Sequence, residues 1–91
     1  MFIHVGNDNV IRSRDIISII DYNILDSSSV MEEMIELDKK QGKVKGNPSI
    51  AKSIVITSDL IYYSSLSVLT LKKRSSIRQM VKKFENHYEL N

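Results

Sequence analysis

The sequence predicts a small α+β domain: an antiparallel sheet of about five short strands, one inserted helix and a C-terminal helix. Its 91 residues leave room for one domain. β-Branched and aromatic residues gather in short runs between turn residues, which is typical of strands. Two longer stretches carry apolar residues at helical spacing. With 42% hydrophobic and 26% charged residues, the composition is that of a globular protein and excludes a disordered chain.

The residue pattern of the N-terminal part predicts a hairpin followed by a third strand. Residues 2–5 and 10–11 are strand formers that flank a Gly-Asn-Asp-Asn turn. Residues 16–20 contain four isoleucines. A helix capped by Ser13 and a buried strand are both compatible with this run. Its β-branched composition favours the strand, running to about Tyr22.

A helix is predicted over residues 29–41. Ser29 and Glu32 have the spacing of a capping box, and apolar residues then recur on one helical face. Acidic side chains crowd the first turns and lysines the last, which suits the helix dipole. Gly42 is the predicted stop.

From residue 43 onwards, the sequence predicts a loop, a second hairpin and the C-terminal helix. Residues 43–52 contain Gly and Pro and read as a loop. Strands are predicted over 53–57 and 60–63, joined by a Ser-Asp turn. Ser67 can cap the C-terminal helix. Further along, the sequence predicts helix over 76–86, from an apolar stripe that consists of Ile77, Met80, Val81 and Phe84.

Charge is unevenly distributed along the chain, although its net value is only +2. Residues 1–38 hold two basic and eight acidic side chains, a net of −6, whereas residues 39–83 hold eleven basic and one acidic, a net of +10. Such a segment suits a polyanion or the acidic surface of a neighbouring copy; a solvated basic face is the other interpretation. The candidate DNA-binding residues are Arg12, Arg14, Lys43, Lys45, Lys52, Lys72, Lys73 and Arg74.

Catalytic and cofactor sites are not predicted. The chain has no cysteine, its two histidines are far apart, and its three glycines do not form a phosphate-binding loop. We therefore expect no enzyme activity, cofactor, metal or small-molecule substrate. The N-terminus lacks a signal-peptide pattern and no apolar run is long enough for a membrane span, so a cytoplasmic location is expected.

A pair of tyrosines, Tyr62 and Tyr63, has two interpretations. Exposed rings could stack on single-stranded bases. Alternation along a strand instead places one ring in the core and the other at an interface, and this second arrangement is the one we expect.

Five stretches of the chain resemble the RemA/RemB family of extracellular matrix regulatory proteins. The resemblance covers residues 1–75 and leaves 76–91 as a C-terminal helical extension. Its most specific part is the YYS…TLKKR stretch. The matching stretches are 2–6 (FIHVG), 14–17 (RDII), 52–57 (KSIVIT), 61–67 (IYYSSLS) and 70–74 (TLKKR).

This resemblance implies a DNA-binding transcriptional regulator of biofilm matrix genes in the cytoplasm of Firmicutes. It also implies a LytTR-like fold, ring-like homo-oligomers and double-stranded DNA bound by arginines repeated around the ring. The chain departs from the RemA pattern at these arginines. Asp15 takes the place of one of them, with Arg14 a residue earlier, and Ser49 and Ile50 take the places of others, leaving Lys52 as the nearby cation. An oligomeric interaction protein without direct DNA contacts is therefore the alternative function.

Overall fold

The computed structural model of the protein describes residues 2–75. Short 3-10 turns occur at Ser13–Asp15 and Pro48–Ile50. The strands and helices are β1 (Phe2–His4), β2 (Val10–Arg12), β3 (Ile16–Asp21), α1 (Ile24–Ser27), α2 (Ser29–Lys40), β4 (Val44–Lys45), β5 (Ser53–Thr57), β6 (Ile61–Ser64) and α3 (68–75).

The strands form two sheets. β1 and β2 make an antiparallel hairpin, and the second sheet has the order β3-β5-β6-β4. The α+β class is confirmed, but a single antiparallel sheet of about five strands is not what forms. β4 lies inside the segment 43–52 that the sequence predicts as a loop, and it runs parallel to β6, with Val44 beside Ile61. A strand of two residues is too short to show the alternation from which strands are predicted.

The four-stranded sheet is the middle layer, because its strands are apolar on both faces. On β5, Val55 points to one face and packs with the hairpin and α3. Its neighbour Ile54 points to the other face and packs against α2. The core on the hairpin side contains Ile3, Val5, Ile11, Val55 and Leu71. The core on the α2 side contains Ile35, Ile54, Ile61 and Tyr63.

The N-terminal hairpin and the third strand are confirmed. Ile3 lies opposite Ile11 in the hairpin, and the turn places Asn7 and Asp8 at φ values of 53° and 61°. Asparagine and aspartate tolerate this left-handed conformation better than most residues. Ser13 begins a 3-10 turn and does not cap a helix, so the isoleucine run is the strand β3.

Helix α2 is confirmed, but its cap lies one residue before the predicted one. Ser28 is extended, and its Oγ accepts a hydrogen bond of 3.2 Å from the Met31 backbone N–H. Ser29 is already helical, so the predicted pairing of Ser29 with Glu32 is wrong. At the other end Gly42 has φ +70°, as its role as the stop requires.

Helix α3 begins as predicted. The Thr70 backbone N–H donates to Ser67 Oγ at 3.1 Å, so Ser67 is the N-cap. The predicted helix over 76–86, within the predicted extension 76–91, lies outside the described residues.

Two buried serines join the layers. Ser64 Oγ donates to the Val5 carbonyl of the hairpin and accepts from the Leu66 N–H at 3.0 Å. On the neighbouring strand, Ser53 Oγ donates to the Leu66 carbonyl at 2.7 Å. These bonds fix the β6–α3 connection over the sheet and hold the hairpin against it.

Gly46 is the most constrained position in the β4 region. Its φ is +96°, and a Cβ atom there would lie 2.3 Å from the Tyr63 carbonyl oxygen. Gly42 has a similar φ of +70° but no atom near the position of a Cβ. A substitution at Gly42 therefore adds backbone strain alone, whereas one at Gly46 adds both backbone strain and steric overlap.

We expect Gly46→Ala to lower the free energy of unfolding by about 3 kcal/mol or more, because it adds overlap with β6 to the strain. Gly42→Ala is the control and should cost only about 1–2 kcal/mol. Urea unfolding of both variants measures the difference. Equal losses would contradict a steric constraint from the Tyr63 carbonyl.

Candidate functional site

Four of the candidate cations lie on the opposite side of the four-stranded sheet from the acidic helix. α2 packs on one face, and the hairpin and α3 pack on the other. The exposed acidic side chains of the helical side are Asp26, Glu32, Glu33 and Glu36. The exposed cations carried by the hairpin and α3 are Arg12, Lys72, Lys73 and Arg74.

Lys45 also belongs to the hairpin side. Val44 packs in the core on the α2 side, so the next residue of β4 points to the opposite face. Lys45 lies beside Tyr62 in register, and Tyr62 packs against the hairpin core. Lys43, which is exposed, precedes the same edge strand, and its carbonyl accepts from the Ile61 N–H at 2.9 Å.

Lys52 lies apart from the other two lysines of the segment 43–52. Its N–H donates to the Ser64 carbonyl at 2.7 Å, and its carbonyl accepts from the Tyr22 N–H at 3.1 Å. These bonds place Lys52 at the end of β6 opposite Ile61, the residue next to Lys43. The sequence predicts residues 43–52 as one loop, but the structure places Lys52 at a different point of the sheet from Lys43 and Lys45.

Arg12 lines a cleft between the hairpin and the β5–β6 turn. The cleft has a volume of about 240 Å³, and Asp15, Asp59 and Tyr62 line it as well. Two carboxylates beside one guanidinium reduce the positive potential there. Arg12 is thus a weaker anchor for phosphate than its sequence position suggests.

Arg14 is exposed in the 3-10 turn that leads into β3. Ile16 pairs with Thr57, and Asp21 pairs with Ser53. Arg14 therefore lies at the opposite end of β5 from Lys52, a separation on the order of 15 Å along the strands. The structure does not bring these two cations together.

The cations of α3 differ in their contacts. Arg74 Nη1 donates to the His4 carbonyl oxygen at 2.8 Å and so connects α3 to β1. Lys72 and Lys73 are exposed. Part of the TLKKR stretch therefore holds the helix on the hairpin, and the two lysines remain accessible to a polyanion.

The tyrosine pair has the predicted arrangement of one ring in the core. Tyr63 is buried and packs edge-to-face on Tyr22, with the ring centroids 5.8 Å apart. Lys39 Nζ lies 5.5 Å from the centre of the Tyr63 ring and 3.3 Å from Glu36. The pKa of Lys39 is raised above its ordinary value by the Tyr63 side chain and by Glu36, and desolvation lowers it by a smaller amount. Because its ring is buried, Tyr63 is not a stacking platform for bases.

The two buried serines are not predicted from the sequence. Ser53 and Ser64 lie within apolar runs, and a single polar residue there does not reveal its hydrogen-bond partners.

Within residues 2–75 no group of three or more His, Asp or Glu side chains could hold a metal ion. No helix in that part of the chain is long and apolar enough to cross a membrane.

These features define a small three-layer α+β domain with a basic and an acidic side. The chain belongs to the RemA-like family, described as extracellular matrix regulatory protein A-like, whose model matches residues 2–75. It is 44% identical over 77 residues to extracellular matrix regulatory protein B of Bacillus subtilis (strain 168), a match that covers 82% of this chain and 90% of that protein. The resemblance to the RemA/RemB family is confirmed.

Two variants distinguish the effect of the Arg74–His4 hydrogen bond on stability from the effect of the Arg74 charge. We expect Arg74→Ala to lower the free energy of unfolding by about 0.5–1 kcal/mol, because the bond is exposed to solvent. Lys73→Ala removes the same charge from an exposed neighbouring position and should change it by less than about 0.5 kcal/mol. Urea unfolding provides the comparison. An equal effect of the two variants would show that the bond to His4 does not stabilise the fold.

Proposed function

We propose that the protein is a DNA-binding transcriptional regulator of extracellular matrix genes that acts as a homo-oligomer. Membership of the RemA-like family supports the regulatory role. The observation that carries DNA binding is the position of Lys45, Lys72 and Lys73 on one side of the sheet, opposite the acidic α2. Double-stranded DNA in the cytoplasm is the proposed partner, and its phosphates are the groups that these lysines attract.

A homo-oligomer follows from the same charge separation. One protomer presents a basic side and an acidic side, so two copies attract each other in a head-to-tail arrangement. Such a contact makes a ring when the rotation between copies closes. A ring repeats each weak phosphate contact, and binding then gains strength through multivalency. A LytTR-like fold is part of this proposal, on the family resemblance.

The second candidate is an oligomeric interaction protein without direct DNA contacts. It is favoured by Asp15, which replaces an arginine of the RemA pattern and lines the same cleft as Arg12 and Asp59. The separation of Arg14 from Lys52 points the same way. Each of these features weakens a continuous phosphate-binding surface.

DNA binding should depend strongly on salt. Each neutralised phosphate contributes about −0.9 to the slope of log K against log salt. Replacing Lys45, Lys72 and Lys73 together by alanine should weaken binding to matrix-promoter DNA and flatten this slope by up to about 2.7. Gel shifts across a salt series measure both quantities.

The control for that experiment is Lys40→Ala, which removes a lysine from the acidic side. It should bind like the parent protein. If the triple variant also keeps the parental affinity and slope, the lysines are a solvated face. The double variant Arg12→Ala with Arg14→Ala is then measured, and retained binding would place the contacts elsewhere. If the parental protein itself does not shift the DNA, the interaction protein is supported.

The assembly should contain more than two subunits and should weaken as salt rises. Light scattering of the full chain at low and moderate salt measures its mass. A mass of about 10.5 kDa, the value for one chain, under both conditions would contradict the proposal.

A further inference from the structure

Helix α2 carries a second apolar stripe that the fold leaves uncovered. Val30, Met34 and Leu37 are 77%, 36% and 54% exposed. Their spacing of i, i+4 and i+7 places them in one row on the helix. The row lies roughly 100° around the helix from Met31 and Ile35, which pack towards the sheet. We call these three residues the α2 stripe.

The segment that follows the described residues has a complementary pattern. Ile77, Val81 and Phe84 repeat the spacing i, i+4 and i+7. Charge is complementary as well. Residues 29–40 hold four acidic and two basic side chains, a net of −2, whereas residues 76–86 hold three basic and one acidic, a net of +2. An amphipathic segment of this kind is what an exposed apolar row on a helix accepts.

The described part of the chain ends on the opposite side of the sheet from this stripe. α3 lies on the hairpin side of the sheet, and α2 lies on the other. Packed layers are about 10 Å apart, so the two helices are separated by roughly 20 Å. A second copy can present its segment to the stripe without crossing the sheet, so a second copy is the partner that we consider.

We propose that the α2 stripe binds the segment 77–84 of a second copy of this chain, as an amphipathic helix laid along α2. This contact rests on the proposed homo-oligomer and names one of its interfaces. It does not depend on DNA binding. The family match ends at residue 75, so the contact uses a segment beyond the matched domain. It buries the α2 stripe, which the fold leaves exposed, and the opposite net charges steer the copies together.

Cysteine cross-linking of the full-length protein tests the contact directly, since the chain has no cysteine of its own. A Leu37→Cys copy is mixed with a Phe84→Cys copy, and in a second mixture with an Ile77→Cys copy, so that both helix directions are covered. We expect a mixed disulfide in one of the two mixtures. Ser58→Cys, on the exposed β5–β6 turn, replaces Leu37→Cys in the control and should give none. No mixed disulfide in either mixture, or as much in the control, would overturn the proposal.

Charge substitution supplies an independent measurement. Val30→Glu with Leu37→Glu should reduce the assembly to smaller species in light scattering. Each subunit should keep its fold in circular dichroism, because both residues are exposed. The matched control, Ile50→Glu with Leu69→Glu, alters side chains that are 50% and 70% exposed elsewhere. It should retain the parental mass.

The outcomes separate this contact from the proposed assembly. If the charged α2 variant keeps the parental mass, the homo-oligomer stands and the α2 contact is wrong. A parental protein that is monomeric overturns both. A chain that carries both Leu37→Cys and Phe84→Cys, and closes an internal disulfide at high dilution, would show that its own segment covers the stripe.

Discussion

The burial of β5 on both faces is the constraint on which the rest of the structure depends. Val55 packs under the hairpin and α3, and Ile54 packs under α2. Each layer covers a face that would otherwise be exposed, so neither core is complete without the strand between them. Ser64, on the neighbouring strand, adds a directional bond to the Val5 carbonyl and fixes where the hairpin sits.

This layering turns an uneven charge distribution along the chain into two sides of the domain. The acidic N-terminal half supplies α2, which covers one face of the sheet. The basic half supplies Lys45 at the sheet edge and the lysines of α3 on the other face. The sheet therefore lies between the exposed acidic residues of α2 and the exposed lysines of α3.

Local patterns were enough to predict the elements that have clear alternation or clear ends. The hairpin, β3, α2 and the β5–β6 hairpin all follow from such signals. β4 could not be predicted, because Val44 and Lys45 become a strand only by pairing with β6. The sequence predicts the cap of α2 at Ser29, whereas the cap is Ser28. Two adjacent serines fit the pattern, and only backbone conformation distinguishes them. The candidate cations could be named but not grouped, because grouping depends on strand register. Register separates Lys52 from Lys43 and brings Lys45 beside Tyr62.

The stretches that resemble the family contain residues that hold the fold and residues that are exposed. Ser64 and Ser67, in the YYSSLS stretch, make bonds that hold the layers and cap α3. Lys45, Lys72 and Lys73 are exposed and belong to neither core. Because the exposed lysines can change without opening a core, loss of the proposed DNA binding should be separable from loss of folding. The fold by itself therefore does not decide between the two candidate functions, and substitutions of the exposed lysines do.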